Sequence, residues 1–233
     1  MRVLPCVLLA ATLVGAPLPA LAEDAAYVGV RTCTKCHDVQ GESWETTAHA
    51  KAFESLKPNA KSEAKTKAKL DPAKDYTTDK DCVGCHSTGF GKPGGYEIGM
   101  APGGQKALGS VGCESCHGAG GGYRDEHGSA EKLLKKASQT TPRKTLADRG
   151  QNFDYERACA VCHLNYQGSP YKEARPPHTP FTPAVDAKYQ FQFDKAVRSQ
   201  GLHEHYKLKG VFDGPPVPAV RAEFQKSAKD LPE

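Results

Sequence analysis

Four copies of one short motif contain most of the cysteines in this sequence. Each copy has two cysteines separated by two residues and followed directly by a histidine. Two thiols at this spacing reach the two vinyl groups of one protohaem as thioethers, and the adjacent imidazole reaches the iron from the same side. The pattern predicts four covalently attached c-type haems. The motif residues are Cys33, Cys36 and His37; Cys82, Cys85 and His86; Cys113, Cys116 and His117; and Cys159, Cys162 and His163.

The repetition of the motif separates covalent haem from other uses of paired cysteines. With nine Cys and nine His among 233 residues, chance predicts about 0.01 such motifs. Structural zinc sites and disulfide frameworks also use cysteine pairs, but neither needs a histidine after every second cysteine. Thioredoxin-like redox pairs lie in a βαβ unit, of which the sequence gives no sign. We therefore expect haem, with zinc or disulfides as the less favoured alternatives.

The composition agrees with a protein whose core is filled by something other than side chains. Only 38% of the residues are hydrophobic and 8% aromatic, and the mean hydropathy is −0.58. A chain of this size normally needs more apolar side chains to fill a core. Four macrocycles supply the missing apolar volume. The formal net charge of +4 is too small to indicate a nucleic-acid partner.

The first 22 residues have the pattern of a secretory signal peptide. An early Arg2 precedes an apolar stretch, and Ala20-Leu21-Ala22 precedes two acidic residues. This pattern predicts cleavage after Ala22, export to the periplasm and one mature domain over residues 23–233. The alternative, a membrane anchor, is disfavoured because prolines and a glycine interrupt the apolar run. No later segment is apolar enough to span a membrane.

The remaining pattern predicts a mainly α protein: a compact multihaem cytochrome with a haem-filled core, long loops and little or no β-sheet. No stretch shows convincing strand alternation, and the histidines of the motifs follow no fixed repeat. Prolines exclude regular structure after the fourth motif, and the tail from about residue 214 is expected to be loosely ordered. Helices are predicted over residues 39–56, 61–75 and 187–207, and the segment over 129–150 is expected to hold a short basic helix broken by Pro142. A Gly-rich loop is predicted over 89–122.

Five further histidines are candidates for the second axial position on each iron. Met100 is the only methionine after the first residue, so we expect histidine rather than methionine as the distal ligand. If the helix over 39–56 is continuous, it places His49 about 18 Å along the axis from His37, and His49 should then ligate another haem. Helical spacing favours His203 over His205 as a ligand. The five candidates are His49, His127, His178, His203 and His205.

Several longer segments resemble one family of multihaem proteins. They include TAHAKAFESLKP around His49, GVGCESCHG, CHLNY, TPFTP and HEHYKL. In these segments the chain is similar to the tetrahaem cytochromes c-554 of ammonia-oxidising bacteria. The resemblance implies a mostly helical monomer that accepts electrons from hydroxylamine oxidoreductase in the periplasm. It also implies a membrane-bound cytochrome, leading to a quinone pathway, as the electron acceptor.

The resemblance also implies how the histidines pair across each iron, and it leaves one iron open. The implied pairs are His37 with His127, His117 with His49, and His163 with His203.

By this resemblance, the open iron is the one bound to His86, and its free face is expected to be covered by Thr179, Pro180 and Phe181. His178 stands directly before this segment, where the family has a tyrosine, and its imidazole is able to close the site. We expect the site to stay open, because Pro176-Pro177 stiffens the approach of His178.

Two classes of function remain in competition. An electron carrier needs only haems close to one another and an edge exposed to partners, and four haems in so short a chain meet the first need. A reductase of a small nitrogen oxide such as nitric oxide needs an open iron and proton donors. The His86 haem offers the open iron, but the sequence identifies no catalytic side chain. We therefore expect an electron carrier rather than an enzyme, with nitric oxide reduction as the alternative.

Overall fold

The computed structural model describes residues 25–199, 202–215 and 219–232. The predicted signal peptide over residues 1–22 lies outside the described residues. Short helices joined by long loops make up most of the described chain. The α-helices are α1 (Val30–Cys33), α2 (Asp38–Glu45), α3 (Ser62–Lys67), α4 (Lys80–His86), α5 (Pro102–Leu108), α6 (Cys113–His117), α7 (Arg124–Ala137), α8 (Arg143–Asp148), α9 (Tyr155–His163), α10 (Phe193–Ala196) and α11 (Ala219–Ser227). Two 3₁₀ helices span Phe53–Leu56 and Ala187–Tyr189.

β-structure in the described chain is limited to one small ladder and an isolated bridge. Strand β1 (Thr141–Pro142) runs parallel to β2 (Phe212–Asp213), with Thr141 opposite Phe212. The Arg143 guanidinium donates hydrogen bonds to the carbonyls of Phe212 and Gly214, which joins the C-terminal segment to the start of α8. The prediction of a mainly α fold with little β-sheet is therefore confirmed.

A small apolar cluster packs the first half of the chain around the second motif. Val83, inside that motif, is fully buried, and the rings of Phe53 and Tyr96 lie 5.3 Å apart. α4 packs on the 3₁₀ helix Phe53–Leu56. The cluster thus holds the helix of the second motif in place, and Cys82 of that motif packs against it. The buried members of the cluster are Phe53, Leu56, Tyr76, Val83, Tyr96 and Leu108.

The predicted continuous helix over residues 39–56 is wrong. α2 ends at Glu45, and turns lead from there to the 3₁₀ helix that begins at Phe53. The hydroxyls of Thr46 and Thr47 donate hydrogen bonds to the carbonyls of Ser43 and Trp44, at 2.8 and 2.7 Å. Such bonds from threonine to nearby carbonyls compete with the helical pattern. The argument that separated His49 from His37 along one continuous helix therefore fails. His49 nevertheless lies close to another motif histidine.

The other helix boundaries also differ from the predictions. The helix predicted over 61–75 is only the six residues of α3, and the segment over 129–150 is divided between α7, β1 and α8. The predicted Gly-rich loop over 89–122 contains α5 and α6. The helix predicted over 187–207 is reduced to a 3₁₀ turn and the four residues of α10.

Described residues of the C-terminal segment, over 219–232, make long-range contacts with residues 202–215. α11 lies within it, and the Phe224 ring stacks on His205 with the centroids 4.7 Å apart. Lys229 forms an ion pair with Glu204 at 2.6 Å. These partners lie about 20 residues earlier in the chain, so the local composition gives no sign of them. Over the described ranges, no helix combines the length and apolar character needed to cross a membrane.

Candidate haem sites

Three of the four motifs lie at the carboxyl end of a helix, with the histidine as its last residue. These helices are α4, α6 and α9. In a helix, residues at i, i+3 and i+4 share one face, so both thiols and the imidazole project to the same side. The first motif is divided, because Cys33 ends α1 and His37 is the N-cap of α2. At the three helical motifs, two sulfur atoms and one imidazole therefore share one side, as the motif predicts.

Acidic N-caps start two of the motif helices. The Asp79 carboxylate accepts a hydrogen bond from the Asp81 amide at the start of α4. The Asp154 carboxylate accepts a hydrogen bond from the Arg157 amide at the start of α9. An N-cap carboxylate satisfies one of the amides that a helix leaves unpaired at its start. Each cap therefore fixes where its helix begins, and with it the direction in which the motif side chains point.

A buried carboxylate inside the third motif binds the loops around it. Glu114 is 2% exposed, and its two oxygens accept hydrogen bonds from the amides of Val28, Gly29 and Gly120 at 2.7 to 3.2 Å. These bonds join α6 to the N-terminal segment and to the loop that follows α6. The sequence reasoning missed Glu114, because its variable position within the motif gives no indication of burial.

Three pairs of imidazoles have the separation that one iron between them requires. The ring centroids are 6.5 Å apart for His37 and His127, 6.0 Å for His49 and His163, and 6.4 Å for His117 and His203. Two imidazoles on opposite sides of one metal have centroids about 6.3 Å apart, given metal–nitrogen bonds of about 2.0 Å. The residues present thus fit a bis-histidine haem at three of the four motifs.

Burial favours the neutral, metal-binding form of five of the paired imidazoles, those of His37, His49, His117, His127 and His163. Burial, together with the neighbouring His203, lowers the pKa of His117 to about 4. Burial lowers the pKa of His163 to about 4 as well, with a further contribution from His49. Burial also lowers the pKa values of His37, His49 and His127. A neutral imidazole has a free nitrogen lone pair at neutral pH, which an iron ligand needs.

Two of the pairs implied by the resemblance are exchanged in the structure. His49 lies opposite His163 rather than His117, and His203 lies opposite His117 rather than His163. The turn that contains His49 is fixed by Val111, whose amide donates to the His49 carbonyl at 3.1 Å. His203 lies on an extended segment instead of a helix, and its Nδ1 donates to the Glu204 carbonyl at 2.8 Å. The pair of His37 with His127 agrees with the resemblance.

His86 differs from the other three motif histidines. Its Nδ1 donates a hydrogen bond to the Ala52 carbonyl at 2.8 Å, and the Ser55 hydroxyl oxygen lies 3.0 Å from the same nitrogen. A hydrogen bond at Nδ1 fixes the tautomer and leaves Nε2 for a metal. Among the ring contacts of the described residues, no second imidazole faces His86. The second motif is therefore the one without a partner histidine.

The two remaining histidines have other surroundings. The His205 ring is stacked between His203, at 5.2 Å, and Phe224, at 4.7 Å. Nδ1 of His178 is buried without a hydrogen-bond partner among the described residues.

The segment expected to cover the open iron is tied to the fourth motif rather than to His86. The Thr179 amide donates to the carbonyl of Asn165, two residues after that motif, and the Phe181 ring packs 5.5 Å from Tyr189. Pro180 stands between these two residues. The covering role of Thr179, Pro180 and Phe181 therefore stays a prediction.

Neighbouring thiols place the four attachment sites in a series. The side chains of Cys33 and Cys113 are close enough to influence each other, as are those of Cys85 and Cys162. Helices α6 and α9 pack together, which brings the third and fourth motifs side by side. The sites thus follow one another in the order first, third, fourth and second.

All eight motif cysteines lie within the described residues and are free rather than joined in disulfides. Within residues 25–199, 202–215 and 219–232, no three His, Cys, Asp or Glu side chains are grouped closely enough to hold a metal ion as a cluster.

Comparisons with known proteins point to a single family. The family model described as cytochrome c554 and c-prime matches residues 32–118, which contain the first three motifs. Cytochrome c-554 of Nitrosomonas europaea is 57% identical over 210 residues, which cover 90% of this chain and 88% of that protein. The solved structure of the reduced state of cytochrome c554 from Nitrosomonas europaea matches with 56% identity and a TM-score of 0.84. That match covers 89% of this chain and 99% of the solved chain.

The resemblance drawn from the sequence is thereby confirmed, and with it the chemistry of the motif. Cytochromes of this class bind c-type haem covalently through paired cysteines, and such haem exchanges single electrons. The chain belongs to the cytochrome c-554 family and is a multihaem c-type cytochrome that transfers electrons.

Proposed function

We propose that the protein is a periplasmic tetrahaem electron carrier between a hydroxylamine-oxidoreductase-like donor and a membrane-bound cytochrome of a quinone pathway. In this proposal residues 1–22 are removed as a signal peptide, and residues 23–233 act as one monomeric domain. A bound haem supplies the exchange of one electron between ferric and ferrous iron. The protein supplies the positions of the haems, their axial ligands and the surface that partners contact.

The observation that supports a carrier best is the serial order of the attachment sites. Cys33 adjoins Cys113, and Cys85 adjoins Cys162, so neighbouring motifs hold their cysteines side by side. Electron transfer between cofactors needs close approach and little rearrangement. At three sites the paired imidazoles would hold a bound iron rigidly from both sides, which favours this transfer. A chain that holds its sites in series can pass an electron from one haem to the next.

The number of haems is tested first. Intact-mass measurement of protein exported from a host that matures c-type cytochromes should give the chain from Glu23 plus four haems. A matched variant with Cys113 and Cys116 both replaced by serine should lose one haem. A fully matured protein with fewer than four haems would contradict the proposal.

The carrier function is tested by turnover with a donor and an acceptor. Replacing His127 or His203 by alanine removes one axial ligand and should slow the passage of electrons from the donor, because the opened iron changes its potential. A small ligand bound to the His86 iron should leave this passage unimpaired. Its binding is followed spectroscopically in the same sample.

One observation favours a second function. His86 has no facing imidazole among the ring contacts of the described residues, so an iron at this site is expected to keep one position open. An open haem iron can bind nitric oxide, and reduction of nitric oxide is therefore the alternative. If nitric oxide is reduced at a metabolically adequate rate, and if the small ligand stops that reduction, the carrier assignment is to be abandoned.

A further inference from the structure

A buried lysine lies beside the second motif without a carboxylate partner. Lys65, on α3, is 4% exposed. Its ammonium donates a hydrogen bond to the Lys57 carbonyl at 2.7 Å and lies 5.3 Å from the centre of the Tyr76 ring. Among the described residues it forms no ion pair. Burying a charge without an opposite charge is costly, so the position calls for an explanation.

The same short segment holds both Lys65 and His86. The His86 imidazole donates to the Ala52 carbonyl, at the start of the 3₁₀ helix Phe53–Leu56, and Ser55 contacts the same nitrogen. The Lys57 carbonyl, at the end of that helix, accepts the bond from Lys65. The short 3₁₀ helix Phe53–Leu56 therefore separates the Lys65 ammonium from His86, the proximal ligand of the second motif.

The Lys65 ammonium lies beside the second motif in this arrangement. The 3₁₀ helix Phe53–Leu56 packs on α4, and the Tyr76 ring next to Lys65 belongs to the same buried cluster as Val83 of the motif. Asp75, a nearby carboxylate, is exposed and accepts a hydrogen bond from the Thr77 amide. Water screens an exposed carboxylate, so Asp75 offsets the buried cation only in part.

We infer that Lys65 is a positioning residue that raises the reduction potential of the haem bound to His86. This inference rests on the proposed haem at the second motif. Ferric iron has one more positive charge than ferrous iron, so a nearby cation disfavours the ferric state. In a poorly solvated interior a single charge acts over a longer range than at the surface. Lys65 therefore makes this haem the better electron acceptor.

Lys74 provides a matched control. Its ammonium lies 4.7 Å from the centre of the same Tyr76 ring, but its side chain is 54% exposed and pairs with Asp79. Lys74→Met removes the same unit charge as Lys65→Met, but from the second ammonium group that contacts the Tyr76 ring. Because water and Asp79 already screen that charge, the haem should barely respond.

The experiment is a spectroelectrochemical titration of the holoprotein and of three Lys65 variants. Lys65→Gln keeps a hydrogen-bond donor for the Lys57 carbonyl and removes the charge, Lys65→Met removes both, and Lys65→Arg keeps the charge. At the wild-type midpoint potential of the His86 haem, the ferrous-to-ferric ratio should fall by about tenfold in Lys65→Gln and Lys65→Met. It should change less than twofold in Lys65→Arg and Lys74→Met.

Two controls separate this inference from the proposed function and from a structural role. Haem content by intact mass is measured on every variant. Turnover with redox partners is a separate assay, so failure of the carrier proposal leaves the potential measurement intact. If Lys65→Gln retains all its haem and the ratio stays at the wild-type value, the inference is wrong. If Lys65→Met fails to fold, Lys65→Gln and Lys65→Arg still decide the question.

Discussion

Replacing His49 by alanine distinguishes two assignments of the distal ligands. The centroids of the His49 and His163 rings are 6.0 Å apart. The value expected for one iron between two imidazoles is about 6.3 Å, from two metal–nitrogen bonds of about 2.0 Å and two centroid-to-nitrogen distances of about 1.15 Å. The observed separation lies within about 0.3 Å of this value. We therefore expect His49→Ala to open the iron on His163 and to leave the iron on His117 six-coordinate.

The size of the effect follows from the number of coordinated sites. If the His86 haem is five-coordinate, about one quarter of the haem is high spin in the wild type and about one half in His49→Ala. His203→Ala should give the same fraction, but at the haem on His117. Electron paramagnetic resonance of the oxidised protein measures these fractions. Because both variants change it equally, the spin count alone does not identify which iron was opened.

Two aromatic rings identify the opened site. Phe191 stacks on His163 with the centroids 4.7 Å apart, whereas Tyr155 lies 5.3 Å from His117. In NMR spectra of protein with labelled aromatic residues, His49→Ala should shift the Phe191 resonances strongly, and His203→Ala should shift those of Tyr155. The reverse assignment would refute the pairing. His205→Ala is the control, since His205 stacks on His203 and faces no motif histidine.

Three further variants test the surroundings of the sites. Glu114→Gln should lower the free energy of unfolding by about 2 kcal/mol, because it weakens buried hydrogen bonds to backbone amides. Thermal unfolding measures this change, and the control variant Glu45→Gln, at an exposed position, should show little change in the same assay. Burial raises the pKa of Tyr96 above that of the unfolded chain. The contribution of this phenol to the free energy of unfolding is therefore complete below about pH 10, and above that pH it falls by up to about 1.4 kcal/mol per pH unit. Tyr96→Phe should therefore flatten the alkaline loss of stability in denaturant titrations, and an unchanged slope would contradict this. His178→Ala should leave the high-spin signal of the oxidised protein unchanged; a new high-spin signal would show that His178 closes the His86 site.

The local geometry of the sites could be predicted from the sequence because it depends on neighbours in the chain. Two cysteines and a histidine at i, i+3 and i+4 share a helix face wherever the segment is helical, and three motifs lie in such helices. The mainly α fold follows from the same local preferences and from the absence of strand alternation. These features do not depend on how distant segments pack.

The distal pairs depend on packing between segments that are far apart in the sequence. The turn with His49 exists because threonine hydroxyls interrupt α2 and because Trp44 donates to the Val111 carbonyl at 3.0 Å, 67 residues away. His203 is held on an extended segment whose neighbour, Glu204, binds Lys229. Helical periodicity cannot identify such long-range partners, so the predicted helices there were too long.

Loops replace regular structure in much of this chain, and this explains the buried polar side chains near the sites. A buried backbone amide outside a helix or sheet still needs a partner. Thr88 is 1% exposed, accepts a hydrogen bond from the Gly112 amide directly before the third motif, and donates one to the Ser110 carbonyl. The buried Glu114 carboxylate likewise accepts a hydrogen bond from the Gly29 amide of the N-terminal loop. Because these side chains fix the backbone on both sides of a motif, their loss should displace the ligands as well as reduce stability. Substitutions at buried polar positions near the motifs are therefore expected to change reduction potentials before they unfold the protein.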